Sequence, residues 1–339
     1  MTRTSETGRN VLAHTLMKIA CALTLMGAGC VPSGGFKITP MPSDQSLKER
    51  IVYRHPGWVS NRIAVIDISG ILMNAHTPGL LSEGEHPVSL TVEKLAAAAR
   101  DKRVKAVVLR INSPGGTVTA SDILYQEIQA FKEKTGKPVV ACFMDVAASG
   151  AYYLACASDE IVARRTAVTG SIGVIMQMIN VSGTMAKIGL TADAITSGPM
   201  KDAGSPFRKM RPEERELLQK LVDGFYQQFV DAVAAGRGNL TREEVLSISD
   251  GRVYSAKEAL EVGLIDRIGT LQDAVAEARR RAGIEAAHTV MYHRPLAWAP
   301  NIYSAAPVSS PRAVNFFNFD LSSLWTAQPR FMYIWNLPK

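Results

Sequence analysis

The feature that most constrains the fold of this chain is an alternation of two apolar patterns between Asn61 and Gly283. Continuous β-branched runs such as KAVVLRIN (residues 105–112) are typical of strands that are buried on both faces. Between them lie stretches with apolar residues at every third or fourth position, the longest at 211–237. Because strands that alternate with helices usually pair in the same direction, the pattern predicts an α/β domain with a mainly parallel sheet.

Some element boundaries can also be predicted. The stretch TASDILYQEIQAFKEK (119–134) predicts a helix that is capped by Thr119 or Ser121, and LTADAITSG (190–198) predicts a short strand. Beyond Ile284 the periodicity stops, and prolines and aromatic residues become frequent. Because disordered segments are usually poor in aromatic residues, we expect this tail to pack on its own domain, a partner subunit or a membrane.

The amino terminus has the form of a secretory signal, with a positively charged start, an apolar core at 19–29 and then Cys30. The apolar run is shorter than the roughly 20 residues that a membrane span needs. Its ending, GAGC, resembles a bacterial lipoprotein signal, although Gly27 stands where that pattern usually has leucine. We therefore expect Cys30 to be lipidated, with a plain anchor or a signal cut elsewhere as the alternatives.

Composition argues against several classes of function. The formal net charge is +7, but the chain has no dense Lys/Arg stripe and no nucleic-acid motif, so nucleic acid is not an expected partner. The four cysteines have no zinc-binding spacing, and no metal or cofactor is expected. Cys142 and Cys156 lie in apolar runs and are predicted to be buried.

A candidate nucleophile lies in FMDVAASGAYYLACAS (143–158), where Ser149 follows a strand-like run and stands between Ala148 and Gly150. Such small neighbours would let a substrate backbone reach the hydroxyl. Serine is a weak nucleophile until a base removes its proton. No histidine falls between residues 87 and 287, so a Ser–His–Asp triad would need a histidine from a peripheral segment.

Lysine is the known alternative base, and it needs a site that favours its neutral form. The stretch ITSGPMKDAGSPF (195–207) offers Lys201 among small and apolar residues. Because a facing carboxylate would stabilise the charged amine, we expect the Asp202 side chain to point away from Lys201. The stretch SPGG (113–116) suits an oxyanion loop, since glycines permit positive φ and a close approach of the substrate backbone.

Five motifs in order, which together cover roughly residues 60–285, resemble the SppA-type signal peptide peptidases, serine–lysine proteases with a ClpP/crotonase-like fold. They are NSPGG (112–116), AASGAYYLACASDEIVA (147–163), TGSIGVI (169–175), SGPMKDAGSPFR (197–208) and GRVYSAKEALEVGLIDRIG (251–269).

The resemblance implies a role for each matching residue: Ser149 as the nucleophile, Lys201 as the general base, and Ser171 as a second hydroxyl beside the lysine. It also implies an oxyanion hole formed by Gly115, Gly116 and Gly150. Half-length members of the family assemble into rings in which the serine and the lysine of one site come from neighbouring protomers, and this chain resembles that form.

The resulting expectation is a signal sequence at 1–29, a tether at 30–57, a peptidase domain at 58–285 and a carboxyl-terminal extension at 286–339. The domain would act on signal peptides or other apolar peptides as a homo-oligomer, without a cofactor. It would be anchored to a bacterial cell membrane and lie on the exported side. Two alternatives remain from the sequence: a catalytically inactive scaffold relative and a crotonase-like acyl-CoA enzyme.

Overall fold

The computed structural model describes residues 46–75, 86–294 and 331–335. The strands of this part are β1 (Lys48–Tyr53), β2 (Arg62–Ser69), β3 (Val104–Ser113), β4 (Gly115–Thr117), β5 (Val139–Ala148), β6 (Glu160–Ala163), β7 (Val168–Gly170), β8 (Ile175–Met176), β9 (Val253–Ser255), β10 (Arg267–Ile268), β11 (His288–His293) and β12 (Phe331–Ile334). The helices are α1 (Pro87–Arg100), α2 (Val118–Thr135), α3 (Gly150–Ala155), α4 (Ser182–Lys187), α5 (Pro212–Gly236), α6 (Arg242–Ile248), α7 (Ala256–Glu261) and α8 (Leu271–Arg281).

The main sheet of the described residues has nine strands, and its central path runs β1-β11-β2-β3-β5-β6-β10. From β11 to β10 all neighbours on this path are parallel, whereas β1 pairs antiparallel with β11. β7 extends the carboxyl end of β5 in parallel register, and β9 pairs antiparallel with β7. The predicted α/β class with a mainly parallel sheet is confirmed.

Helices cover both faces of the sheet, which explains the continuous apolar runs of the strands. On β3, Val107 and Leu109 belong to one core, whereas Ala106 and Val108 belong to the other. The second core is closed by α8, and helices α1, α2, α3 and α5 contribute to the first. This double burial fixes the register of β3 and β5, whose carboxyl ends lead into the candidate site.

Several local expectations need correction. Thr117, and not Thr119 or Ser121, caps α2, because its hydroxyl oxygen accepts a hydrogen bond from the Ala120 N–H. Residues 190–198 form no strand, because no neighbouring strand of the described chain pairs with them.

The sheet also extends beyond the expected limits of the peptidase domain at 58 and 285. β1 lies before residue 58 and β11 lies after residue 285, and the two pair with each other at the edge of the sheet. Part of the aromatic tail is ordered against the same domain, because β12 forms a three-stranded sheet with β4 and β8.

The expected signal sequence (1–29), most of the tether and Cys30 lie outside the described residues. Within the described part, every helix is too short or too polar to cross a bilayer.

Candidate active site

Ser149 stands at the turn between β5 and α3, directly after the buried Ala147 and Ala148. Its backbone N–H donates to the Gly170 carbonyl at 2.7 Å, and its own carbonyl accepts from the Tyr153 N–H at 2.9 Å. The side chain is only 1% exposed, and its Oγ has no hydrogen-bond partner among the residues that the structure describes. A buried hydroxyl without a partner is costly, and Ser149 shares this state with the hydroxyls of Ser158, Ser249 and Tyr292.

The backbone at Ser149 is strained. In the described part of the chain, Ser149 (φ 54°) and Ser171 (φ 52°) are the two residues other than glycine with positive φ. A non-glycine residue in such a region costs roughly 1–3 kcal/mol and persists only where surrounding contacts impose it. Both residues were candidate site residues from the sequence, and their strain is an independent observation that singles out the same two positions.

Ser171 follows β7 directly, and its N–H donates to the Arg252 carbonyl at 2.7 Å. Its side chain is buried, like that of Ser149. Because β7 pairs with the last residues of β5, the two strained serines lie beside the carboxyl ends of adjacent strands. Catalytic side chains of α/β folds commonly lie at this edge.

Gly115 and Gly116 form the start of β4, where neighbouring backbone approaches closely. A Cβ on Gly115 would lie 2.1 Å from the Tyr333 carbonyl oxygen and 2.7 Å from the Gly150 nitrogen, and one on Gly116 would lie 1.8 Å from the Leu72 carbonyl oxygen. Gly115 also has a positive φ of 99°. Only glycine fits both positions without displacing backbone of the chain itself, and their contact with substrate backbone stays a prediction.

The Gly115 N–H does not point toward Ser149. It donates to the Ser113 Oγ at 3.1 Å, and that hydroxyl in turn donates to the Gly70 carbonyl at 2.6 Å. Of the three expected oxyanion donors, Gly115 therefore has an N–H that is already used within its own loop.

Lys201 lies on a long exposed segment, which we call the arm and define as residues 174–211. Gly204 is the sole buried residue of the arm, and Lys201 is exposed. Apolar side chains of the arm also face solvent: Ile179, Ile188, Leu190 and Ile195 are 67%, 66%, 54% and 107% exposed. In the described chain, Lys201 does not hydrogen-bond to Ser149, because no group hydrogen-bonds to the Ser149 Oγ.

The Asp202 carboxylate is held by arginine, as expected if it is to be kept from Lys201. Arg208 donates from Nε to Asp202 at 2.8 Å and from both terminal nitrogens to Glu214, at 2.5 and 3.0 Å. Arg211 also donates to Glu214, from Nε at 2.7 Å. We call these four residues the arginine clamp; it ties the arm to the first turn of α5.

The clamp lowers the pKa of its carboxyls. The hydrogen bonds from Arg208 are the main cause for both, and they lower the pKa of Glu214 to about 2. The contact between Arg208 and Glu214 was not predicted from the sequence, because isolated charged residues near the start of a helix are common. The sequence analysis also missed Tyr333, for which the aromatic tail was the one available signal.

Two further expectations concern cysteines and metals. Cys142 and Cys156 are buried, as predicted, and burial raises the pKa of each thiol to about 12. In the described ranges, no group of three or more His, Cys, Asp and Glu side chains is arranged to hold a metal ion.

Comparison with known proteins gives the family. The profile of Peptidase family S49 matches residues 131–285. A protein of Synechocystis sp. named "Putative protease slr0021" is 38% identical over 224 residues, which cover 66% of this chain and 76% of that protein. A protein of Enterococcus faecium named "Putative signal peptide peptidase SppA" is 33% identical over 269 residues, 79% of this chain and 74% of the relative.

A plant protein is also similar to this chain. "Serine protease SPPA, chloroplastic" of Arabidopsis thaliana is 36% identical over 226 residues, which are 66% of this chain and 33% of that longer protein. With the largely parallel sheet described above, these matches show that the chain belongs to Peptidase family S49 and is a serine-type peptidase with a ClpP/crotonase-like fold.

Proposed function

We propose that this chain is a membrane-anchored endopeptidase in which Ser149 of one copy and Lys201 of a second copy form the catalytic dyad. Its substrates are cleaved signal peptides and other apolar exported peptides. The observation that carries the proposal is the state of Ser149: a strained, buried hydroxyl without a partner, beside glycines that accept a backbone strand.

The chemistry follows from these groups. The Ser149 Oγ forms a bond to the substrate carbonyl carbon while its proton passes to the neutral Nζ of Lys201, and the carbonyl electron pair becomes an oxyanion. The C–N bond then breaks, and the protonated lysine gives its proton to the leaving amine. Water, activated by the same lysine, hydrolyses the acyl ester and frees Ser149.

The oxyanion needs two N–H donors. We assign them to Gly116 and Gly150, because the Gly115 N–H already donates to the Ser113 Oγ at 3.1 Å. Gly115 contributes shape instead, since its missing side chain lets substrate backbone approach. Ser171 would accept a hydrogen bond from Lys201 and orient the amine.

A second copy is proposed because Lys201 is exposed and the Ser149 Oγ has no hydrogen-bond partner among the described residues. Isoleucines and leucines are exposed on the arm, and on α5 Leu217 and Leu221 are 41% and 43% exposed. Contiguous exposed apolar surface usually marks an interface. A head-to-tail ring would bury this surface and bring each arm to a neighbouring Ser149.

The membrane anchor rests on the amino-terminal pattern that ends at Cys30. Cys30→Ser should leave an uncleaved signal or a protein that is released from the membrane fraction. Fractionation and migration identical to the wild type would disprove lipidation at Cys30.

The dyad is tested with purified Ser149→Ala and Lys201→Ala proteins and a synthetic signal peptide. Each should lose cleavage, whereas Lys209→Ala, at another exposed lysine of the arm, should keep it. A serine-directed fluorophosphonate should label the wild type and not Ser149→Ala. Retained cleavage in Ser149→Ala or Lys201→Ala would refute the assignment.

The pH profile tests the nature of the base. A lysine acts only when neutral, so the rate should rise as the pH is raised. A flat profile between about pH 6 and 10 would exclude lysine as the base.

A further inference from the structure

The strand β7 pairs with the stretch of chain that leads into Ser149. It runs parallel to the last residues of β5, so that Thr169 stands beside Ala147 and Gly170 stands beside Ala148. The Thr169 hydroxyl donates to the Ala147 carbonyl at 2.7 Å, and the Ser149 N–H donates to the Gly170 carbonyl at 2.7 Å. One side-chain bond and one backbone bond therefore join β7 to the chain around the candidate nucleophile.

The bond from the Thr169 hydroxyl is an addition to the sheet. Strands pair through their backbone groups, so a threonine in a strand needs no hydroxyl for the pairing itself. β7 has only three residues, and Thr169 is fully buried. Because a hydrogen bond that is shielded from water is electrostatically stronger, this one ties a very short strand firmly to β5, two residues before Ser149.

The other edge of β7 is fixed by β9. Thr169 stands opposite Tyr254 in antiparallel pairing, and the Tyr254 hydroxyl donates to the Ile248 carbonyl at 2.8 Å. Gly170 has a positive φ of 82°, and a Cβ there would lie 2.6 Å from the Tyr254 Cδ2. β7 is therefore packed against an anchored neighbour, and the Thr169 hydroxyl passes this fixed position on to β5.

The bond lies between two strained positions. Ser149 (φ 54°) follows the β5 stretch that Thr169 holds, and Ser171 (φ 52°) follows β7 itself. A strained backbone persists only where surrounding contacts impose it. Because the Ala147 carbonyl is held, the direction in which β5 enters the turn is held as well. A reacting group must be placed to within about 0.5 Å, so a contact that fixes this direction bears on the rate of attack.

We propose that Thr169 is a positioning residue for the nucleophile: its hydroxyl holds the end of β5 so that Ser149 keeps the strained conformation from which it attacks. The inference rests on the proposed function, because it gives Thr169 a part in the reactivity of Ser149. Thr169 acts through the backbone of Ala147 and not through the substrate, so its loss should lower kcat and leave KM unchanged.

The test compares variants of Thr169 in the full-length protein. Valine keeps the branched shape and removes the hydroxyl, whereas serine keeps the hydroxyl. Thr91→Val is the matched control, because Thr91 is also buried and its hydroxyl donates to the Pro87 carbonyl at 2.9 Å within α1. Cleavage of a synthetic signal peptide gives kcat and KM, and urea titration gives the free energy of unfolding. The rate of labelling by a serine-directed fluorophosphonate gives the reactivity of Ser149 without a peptide.

We expect Thr169→Val to lower kcat and the labelling rate about tenfold, for the loss of one buried hydrogen bond, while KM stays at the wild-type value. Thr169→Ser should restore most of both rates. Thr91→Val should lose a similar free energy of unfolding and keep the wild-type kcat and labelling rate.

Wild-type kcat and labelling in folded Thr169→Val would overturn the inference. An equal loss of both rates in Thr91→Val would also overturn it, because the effect would then follow stability alone. Should Thr169→Val be unfolded, Thr169→Ser and Thr169→Ala decide in its place, since serine and alanine differ by the hydroxyl alone, and equal kcat in these two would refute the role.

The proposed function has its own outcome in the same assay. If Ser149→Ala still cleaves the signal peptide, the proposed dyad fails. If Ser149→Ala is inactive while Thr169→Val matches the wild type, the dyad stands and only the positioning role of Thr169 fails.

Discussion

The turn that carries Ser149 and the arm that carries Lys201 differ in almost every physical respect. Ser149 lies between buried alanines and glycines at the end of a central strand, and backbone hydrogen bonds fix both its N–H and its carbonyl. The arm has one buried residue in 174–211, and it exposes isoleucines that a monomer would normally bury. The difference supports the proposal that one chain fixes the nucleophile, whereas the base reaches it from a second copy.

The arm is nevertheless fixed at one end. The arginine clamp joins Asp202, the residue next to Lys201, to Glu214 at the start of α5. The clamp therefore fixes the arm to the start of α5. It also pairs the Asp202 carboxylate with arginine, so that this carboxylate is not available to Lys201.

The largest effect is expected for Gly115→Ala. The added methyl would clash with the Tyr333 carbonyl oxygen and with the Gly150 nitrogen. It would also obstruct the proposed approach of substrate backbone to Gly115. We expect peptide cleavage to fall on the order of 10²–10³-fold, as for the loss of oxyanion stabilisation. Gly136→Ala is the matched control, because Gly136 also has positive φ (65°) but open space around its Cβ. Equal activity of the two variants would contradict the proposed approach of substrate backbone to Gly115.

An intermediate effect, on the rate of proteolysis of the arm, is expected when acid weakens the arginine clamp. Because the folded pKa of Glu214 is lowered to about 2, the clamp contributes stability above the ordinary carboxyl value of 4.5 and loses it as the pH falls toward 2. Cleavage by pepsin within 174–211 should therefore become faster between pH 4.5 and 2, relative to a reference peptide.

Glu214→Gln should already show the faster cleavage at pH 4.5, by about tenfold, since each arginine loses a charged acceptor. Glu213→Gln is the control, because the neighbouring Glu213 is exposed and outside the clamp. If both variants are cut at the wild-type rate, the clamp does not hold the arm.

Local sequence patterns were sufficient to predict the parallel sheet and the longest helix. The parallel sheet follows from β-branched runs, and the predicted helix at 211–237 is found at Pro212–Gly236 because its apolar spacing and its proline at the first turn are local signals. The small neighbours of Ser149 are also a local signal, and its role as the nucleophile stays a prediction.

Features that depend on pairing between distant segments were not predictable. The positive φ of Ser149 is imposed by its hydrogen bond to Gly170, on another strand. The stretch 190–198 has the composition of a strand but lacks a neighbour to pair with. β12 forms because two very short strands, β4 and β8, leave a gap of one strand between them.

The smallest effect is expected for Ser149→Gly and Ser171→Gly. Glycine adopts positive φ without strain, so each substitution should raise the free energy of unfolding by about 1 kcal/mol, although Ser149→Gly is inactive. Urea titration measures the change. Ser158→Gly is the control, because Ser158 also has a buried hydroxyl without a partner in the described residues but has no positive φ, so it should gain less. A loss of stability in both variants would mean that the turn is not strained.

The most direct test of the central claim, a dyad shared between two chains, is complementation. Ser149→Ala and Lys201→Ala proteins, each inactive, are dissociated, mixed and reassembled, and subunit exchange is verified with two mass tags. Random mixing in a closed ring makes about a quarter of the sites competent, because each interface joins two independently drawn chains. Recovery of about a quarter of wild-type cleavage is the predicted result. Cleavage that stays at the background of the single variants, with exchange verified, would place Ser149 and Lys201 of each site in one chain and contradict the account.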